Sequence, residues 1–223
     1  MSNKFASAGL TAGQLNAIVK KLGGHEMALR FLRDELSISE PARSWHEEDG
    51  VIYFSVTSDG TTGEEWIKRL GSKCFRVRDC AKDMLFSRDF KPTSGVTTKV
   101  VVLKGMLFKD DDRIMKKIRA EADKRKLEKP NAELACLICE KFTDEEIEAM
   151  GLIWIVAMHE PINDSGGDPR LLYVHRDGRG SRLNACHCGP GNRWYRDNGF
   201  AFAVSQVRRD PPRTWTNPIH PGP

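Results

Sequence analysis

Four stretches of this chain are apolar and rich in β-branched or aromatic residues, and they constrain the fold more than anything else in it. They are residues 51–57 (VIYFSVT), 97–108 (TTKVVVLKGMLF), 152–158 (LIWIVAM) and 199–207 (GFAFAVSQV). Such runs read as buried strands. Helical signals fill the intervals. Thr11 caps a helix whose Leu15, Ile18, Val19 and Leu22 share one face, and Gly23-Gly24 ends it. A second helix is expected over 25–36, with Leu29, Leu32 and Leu36 inward. Lys20, Lys21, Arg30 and Arg33 are too few and too mixed with acids to make this pair a DNA reader, so a packed helical hairpin is expected. Thr61 or Thr62 caps a helix through Trp66, Ile67 and Leu70; a short strand at 75–77 and a helix at 79–86 follow.

Lys91-Pro92-Thr93-Ser94-Gly95 is rich in turn formers and is read as a domain joint. The fold class is therefore α+β: a small N-terminal α/β unit over 1–95 with its helical hairpin, a second domain over 96–207, and a Pro-rich tail over 208–223. Within the second domain, Asp110, Asp111 and Asp112 open a charged helix reaching about Leu127, acids first and bases later as the helix dipole favours. Another helix is expected over 131–142. Thr143-Asp144-Glu145-Glu146 reads as a capping box for a third, ended by Gly151.

Several function classes drop out on composition. No stretch approaches the roughly 20 apolar residues of a membrane helix, and the first ten residues lack a signal-peptide pattern. A soluble, cytoplasmic protein with no membrane partner is expected, its six cysteines reduced. The net charge of +4 is concentrated: residues 163–213 hold nine Arg and five Asp but no Lys or Glu. That surplus favours anionic partners; it is too small to favour nucleic acid, and weak nucleic-acid binding through this Arg-rich half stands as a further alternative function.

From Met150 onward the phrases MGLIWIVAMHEPI, DSGGDPRLL, RLNAC, GPGNRW and NGFAFAVSQV resemble the variable proteins of bacterial diversity-generating retroelements, and more narrowly a group of candidate-phylum bacterial proteins. The resemblance implies a C-type-lectin-like domain, a fold shared with formylglycine-generating enzymes, whose first and last strands pair; here those are 97–108 and 199–207. It also implies a hypervariable surface, because an error-prone reverse transcriptase rewrites the adenines of AAY codons. Such codons never yield Lys, Glu, Gln, Met or Trp. Residues 169–205 contain no Lys, Glu, Gln or Met in 37 positions, whereas the other 186 residues contain forty. Strand and loop segments are poor in helix formers anyway, which accounts for part of that deficit.

The resemblance then divides residues 171–198 into a frame and a variable set. The frame is Leu171, Leu172, Leu183, Ala185, Pro190, Arg193 and Trp194, continuing into Gly199, Phe200, Ala201 and Phe202. The candidate ligand-binding positions are Tyr173, Val174, His175, Asp177, Arg179, Ser181, Arg182, Asn184, Cys186, His187, Cys188, Gly191, Asn192, Tyr195, Arg196, Asp197 and Asn198. Tyr, His, Arg and Asn suit short binding loops. Tyr173, His175, His187, Tyr195 and Arg196 are expected on one exposed face, with Trp194, Phe200 and Phe202 buried. The function implied is ligand binding, the ligand a protein of unknown identity, without a cofactor and without catalysis.

Other constellations point to bland readings. Cys136 and Cys139 have CxxC spacing, but an apolar spacer and the lack of a second pair make them buried helix thiols. Cys186-His187-Cys188 offers soft metal ligands, with His175 as a further candidate donor, and sustains the alternative of a metal-dependent or sulfatase-modifying-type enzyme. No metal ligand set is assigned. Residues 164–168 lack the pattern of a calcium loop and read as a polar turn. Ile162 interrupts the Glu-Pro-Asn triplet of calcium-dependent lectins at 160–163. His159-Glu160 and His46-Glu47-Glu48 place acids beside imidazoles, yet adjacent residues point apart.

Overall fold

The computed structural model describes residue 9 and residues 11–36, 43–176, 182–189 and 191–205. The chain divides into two units after Arg43. In the first, α1 (Ala12–Lys21) begins with the Thr11 capping box, whose reciprocal partner is Gln14. Gly23 and Gly24, both at positive φ, turn the chain into α2 (His25–Leu32). Ala28 is its one buried residue. The expected inward stripe does not hold: the helix stops at Leu32, whose side chain is exposed, and Leu36 lies beyond it.

The second unit is built on one sheet. Its strands are β1 (Trp45–Glu48), β2 (Val51–Asp59), β3 (Arg76–Val77), β4 (Ser94–Lys104), β5 (Leu127–Glu128), β6 (Trp154–Ala157), β7 (Ile162–Asn163), β8 (Pro169–His175), β9 (Arg182–His187) and β10 (Asn198–Val204). They run in the order β1-β2-β4-β10-β6-β8-β9-β3, with β5 on β10 and β7 on β8. The apolar runs occupy the middle, as they must, because their side chains are buried on both faces. One face packs Ile52, Phe54, Val100, Val102, Ile155 and Leu172 against α3 (Gly63–Ser72), α4 (Asp79–Leu85) and α6 (Leu134–Lys141), with Ile147 of α7 (Asp144–Ala149). The other packs Val101, Leu103, Val156, Phe200 and Phe202 against α5 (Met115–Lys124) and Trp194.

As expected, β4 and β10 pair, antiparallel, with Gly199 opposite Lys104 and Phe202 opposite Val101. A Cβ on residue 199 would come within 2.6 Å of Val102 Cγ1 and 2.8 Å of a Leu152 methyl, so only glycine fits this close approach. The capping boxes at Thr62 and Thr143 also form.

The joint at 91–95 is not a boundary. Strand β2 pairs with β4 from Val51–Leu103 to Asp59–Ser94, so one sheet spans both sides of it. Burial explains why the turn is fixed. Glu133, 1% exposed, accepts a hydrogen bond from the Thr93 amide at 2.9 Å, and the Thr93 hydroxyl donates to Ser58 Oγ at 2.8 Å. The triple aspartate forms a 3-10 turn rather than a helix start. Ile114 bridges to Arg193, which keeps the backbone extended until Met115. No helix among the described residues is long and apolar enough to cross a membrane. The Pro-rich tail lies outside the described residues.

Candidate functional site

The end of the sheet where β4 finishes and β10 begins gathers several of the candidate residues. Residues 191–197 bring the chain across the α5 face to this end. Trp194 anchors the return: its ring is buried edge-on to Phe200, with centroids 5.7 Å apart, and its amide donates to the Arg113 carbonyl at 2.9 Å. Arg113 holds the same segment from below, donating from Nε to the Trp194 carbonyl (3.2 Å) and from Nη1 to the Phe108 carbonyl (3.0 Å). Asn198, 1% exposed, accepts from the Tyr195 amide at 2.9 Å and closes the turn. At Gly105 a Cβ would overlap the Tyr195 and Arg196 carbonyls, so glycine admits the turn.

This frame leaves the Tyr195 side chain 69% exposed and Arg196 exposed beside it. With Lys104, Met106, Arg113, Gly151 and Asp197 they line a cleft of about 590 Å³. Lys104 is ion-paired to Glu47 at 2.9 Å, and Met106 is 49% exposed. The cleft thus has a firm polar floor and a rim of large, accessible side chains.

The antiparallel pair β8 and β9 contributes a second group. Registers across the sheet align Trp154 with His175, His175 with Arg182, and Arg182 with Arg76. Tyr173 stacks on Trp154 with centroids 4.4 Å apart, and the His175 ring stands 5.5 Å from Trp154. Burial lowers the His175 pKa, and Arg182, Arg176 and Arg76 push the same way against Asp144. Burial also pushes the Tyr173 phenol up to about 12.

The expectation of one exposed face is corrected by these placements. Tyr173 is 6% exposed and packs under Trp154, while Val174 is fully buried among the helices of the opposite face, because adjacent strand residues point to opposite sides. Asn198 and Cys188 are buried as well. His187 lies at the far end of β9, where its Nδ1 accepts from the Gly189 amide at 3.1 Å. Asn192 donates to the His187 carbonyl there, and Gly191 is exposed nearby. Asn184 is half-buried and accepts from the Cys80 thiol at 2.9 Å. Asp177, Arg179 and Ser181, like Pro190 of the frame, lie outside the described residues. Trp194, Phe200 and Phe202 are buried as expected.

The thiol cluster does not converge. Cys186 donates to the Leu171 carbonyl (3.6 Å) and Cys188 to the Pro169 carbonyl (3.2 Å), and burial raises both, Cys186 to about 12. Cys136 and Cys139 are buried in α6, their thiols likewise raised by burial. Among the described residues no three His, Cys, Asp or Glu side chains are grouped to hold a metal ion. At residues 164–168, Asp164 accepts from the Gly166 and Asp168 amides and from Arg170, the geometry of a self-satisfied polar turn.

Sequence reasoning missed Trp154, Arg76, Arg78, Lys104, Met106, Arg113 and Gly151. Their relation to the site comes from cross-strand register and loop return, which no local pattern carries. No family model matches this chain, and no curated protein or solved structure matches it either.

Proposed function

We propose that this protein is a ligand-binding protein whose recognition surface is the Tyr195–Asp197 cleft, and that its partner is another protein. The observation that carries the reading is a rigidly held loop presenting large side chains. Arg113, Trp194, Asn198 and Gly105 fix the backbone, while Tyr195 and Arg196 project from it. Tyr and Arg on a pre-organised loop supply contact area and hydrogen bonds at low entropic cost. No reaction is assigned to this surface.

On this reading the domain is lectin-like and its loops are diversified by a retroelement. The antiparallel pairing of β4 with β10 supports the lectin-like part. The variable set contracts to accessible positions, among them His175, Arg182, Tyr195, Arg196 and Asp197. Val174 and Asn198 belong to the frame, since a fully packed position cannot accept most residue types. In the genome, a near-copy of the codons for 171–198 should lie near a reverse-transcriptase gene and differ at template adenines, chiefly at those accessible positions. A complete genome without that copy would remove active diversification. The binding reading is tested separately, by screening the full chain against proteins of the host and its neighbours. Tyr195→Ala and Arg196→Ala should each weaken a recovered partner by about tenfold or more, the scale of an interface anchor. Partners that bind both variants as well as the parent would sink the cleft as the site.

A further inference from the structure

The helical hairpin of the first unit has strong local signals and almost no core. Helix α1 opens on the Thr11–Gln14 capping box, and two glycines at positive φ turn the chain into α2. Yet α1 buries no residue and α2 buries only Ala28. Leu15, Ile18 and Leu32 are 49%, 42% and 74% exposed, three of the eight large apolar side chains exposed among the described residues. Val19, Leu22, Leu29 and Phe31 are only half-buried. Helices of ten and eight residues are shorter than the roughly 12–15 that hold a helix in water, so these two need an apolar cover. The polar residues say what that cover is. Within residues 11–36 four bases, Lys20, Lys21, Arg30 and Arg33, nearly balance three acids, Glu26, Asp34 and Glu35. A balanced surface steers neither nucleic acid nor an anionic membrane, but it does not repel a copy of itself. The charges are also sorted along the hairpin. Helix α1 carries Lys20 and Lys21 in its last turn and no acid anywhere, so its bases stand at the turn end. Asp34 and Glu35 stand at the open end, where Glu35 also holds Arg30 at 3.4 Å and Arg33 at 4.0 Å.

We propose that the hairpin is a self-association module: two copies pair through Leu15, Ile18 and Leu32 as an antiparallel four-helix bundle. Two packed helices expose an apolar side that only a further layer can cover, and a second hairpin is the simplest such layer. A two-fold axis with the turns at opposite ends sets Lys20 and Lys21 of each copy beside Asp34 and Glu35 of the other, so the match is made twice. The helices are about 15 and 12 Å long, and at an interaxial spacing of about 9 Å they present a face of about 300 Å². Two such faces fall short of the roughly 1,200 Å² of a stable complex, so the dimer is reversible and forms at high-micromolar concentration. A paired chain carries two Tyr195–Asp197 clefts, which would hold a partner with repeated epitopes by avidity. The pairing itself does not rest on the reading of that cleft.

The test is sedimentation of the full chain from micromolar to millimolar concentration under reducing conditions. The average mass should rise from one chain towards two. Ile18→Glu and Leu32→Glu, both at exposed side chains, should each raise the dimer Kd by about tenfold or more, while the main melting transition stays where it is in the parent. A second pair of variants leaves the apolar face intact, so that a frayed hairpin is not mistaken for a lost contact. Lys20→Glu with Lys21→Glu in one chain, and Glu35→Lys in another, should each pair about threefold more weakly or worse, the scale of exposed ion pairs made twice. Their equimolar mixture should recover the parent's Kd, because each swapped end then meets its opposite. A parent that stays monomeric at millimolar concentration overturns the proposal. So does a dimer that Ile18→Glu and Leu32→Glu leave unchanged, or a mixture that pairs no better than its two components. No ligand enters this experiment, so its failure leaves the cleft reading where it stood.

Discussion

His159 shows how a single residue can be read wrongly as chemistry and correctly as structure. In sequence it sits beside Glu160 and resembles half of an acid–base pair. In the fold its Nε2 accepts from the Leu172 amide at 3.0 Å, and its Nδ1 lies 2.6 Å from the Glu160 carbonyl oxygen. Both bonds are satisfied by the neutral tautomer with the proton on Nδ1. Burial holds its pKa at about 4, against an ordinary value of 6.5. The native state therefore binds this proton less readily than the unfolded chain. The stabilisation is fully present above pH 6.5 and is lost as pH falls towards 4. Its size is at most about 3.4 kcal/mol. Urea unfolding at pH 7, 5.5 and 4.5 should show stability falling, and His159→Gln should flatten that fall. An equal slope in parent and variant would mean that His159 is not the titrating group. The same scale decides the candidate set: the resemblance marked Tyr173 and Val174 as equals, whereas pleat and register bury them on opposite faces.

At the scale of elements, the central strands and capped helices were legible because each carries its signal locally. VIYFSVT and LIWIVAM hold buried strands, and Thr11, Thr62 and Thr143 form capping boxes. Edge elements were not legible. The sequence WHEE of β1 buries one residue in four and is a strand only because β2 accepts it. Residues 110–112 look like a helix start, yet Arg113 is committed to the carbonyls of Phe108 and Trp194 and holds the turn open. Arg113→Ala should consequently cost about 1.5–3 kcal/mol, the range for hydrogen bonds to a charged group. Phe200→Ala should cost about 3–5 kcal/mol through the cavity left under α5 and Trp194. Tyr195→Ala, on the exposed rim, should stay within about 0.5 kcal/mol. Chemical denaturation of the three variants checks the order. A Tyr195 variant as damaged as the Phe200 variant would show that the rim is part of the core.

The whole molecule differs from its sequence reading mainly at the joint of 91–95, and a truncation decides which description is physical. Pro, Ser and Gly close together mark a turn, but a turn between two strands of one sheet is spelled like a linker between two domains. What separates the cases is long-range: the pairing of β2 with β4 and the buried Glu133 clamp on Thr93. A chain beginning at residue 96 would lose β2, α3, α4 and β3. With them go Ile52, Phe54, Trp66, Leu70, Met84 and Leu85 of the core, leaving Val100, Val102 and α6 with little to pack against. It would also bare β4 along its length and β9 beside Arg182, and unpaired strand edges invite association. That chain should be unfolded or aggregated by circular dichroism and sedimentation. A chain beginning at Ser44 keeps every strand and should unfold in one cooperative transition at the melting temperature of the full chain's main transition. Cooperative melting of the chain from 96 would restore the two-domain reading and make the N-terminal strands an accessory layer.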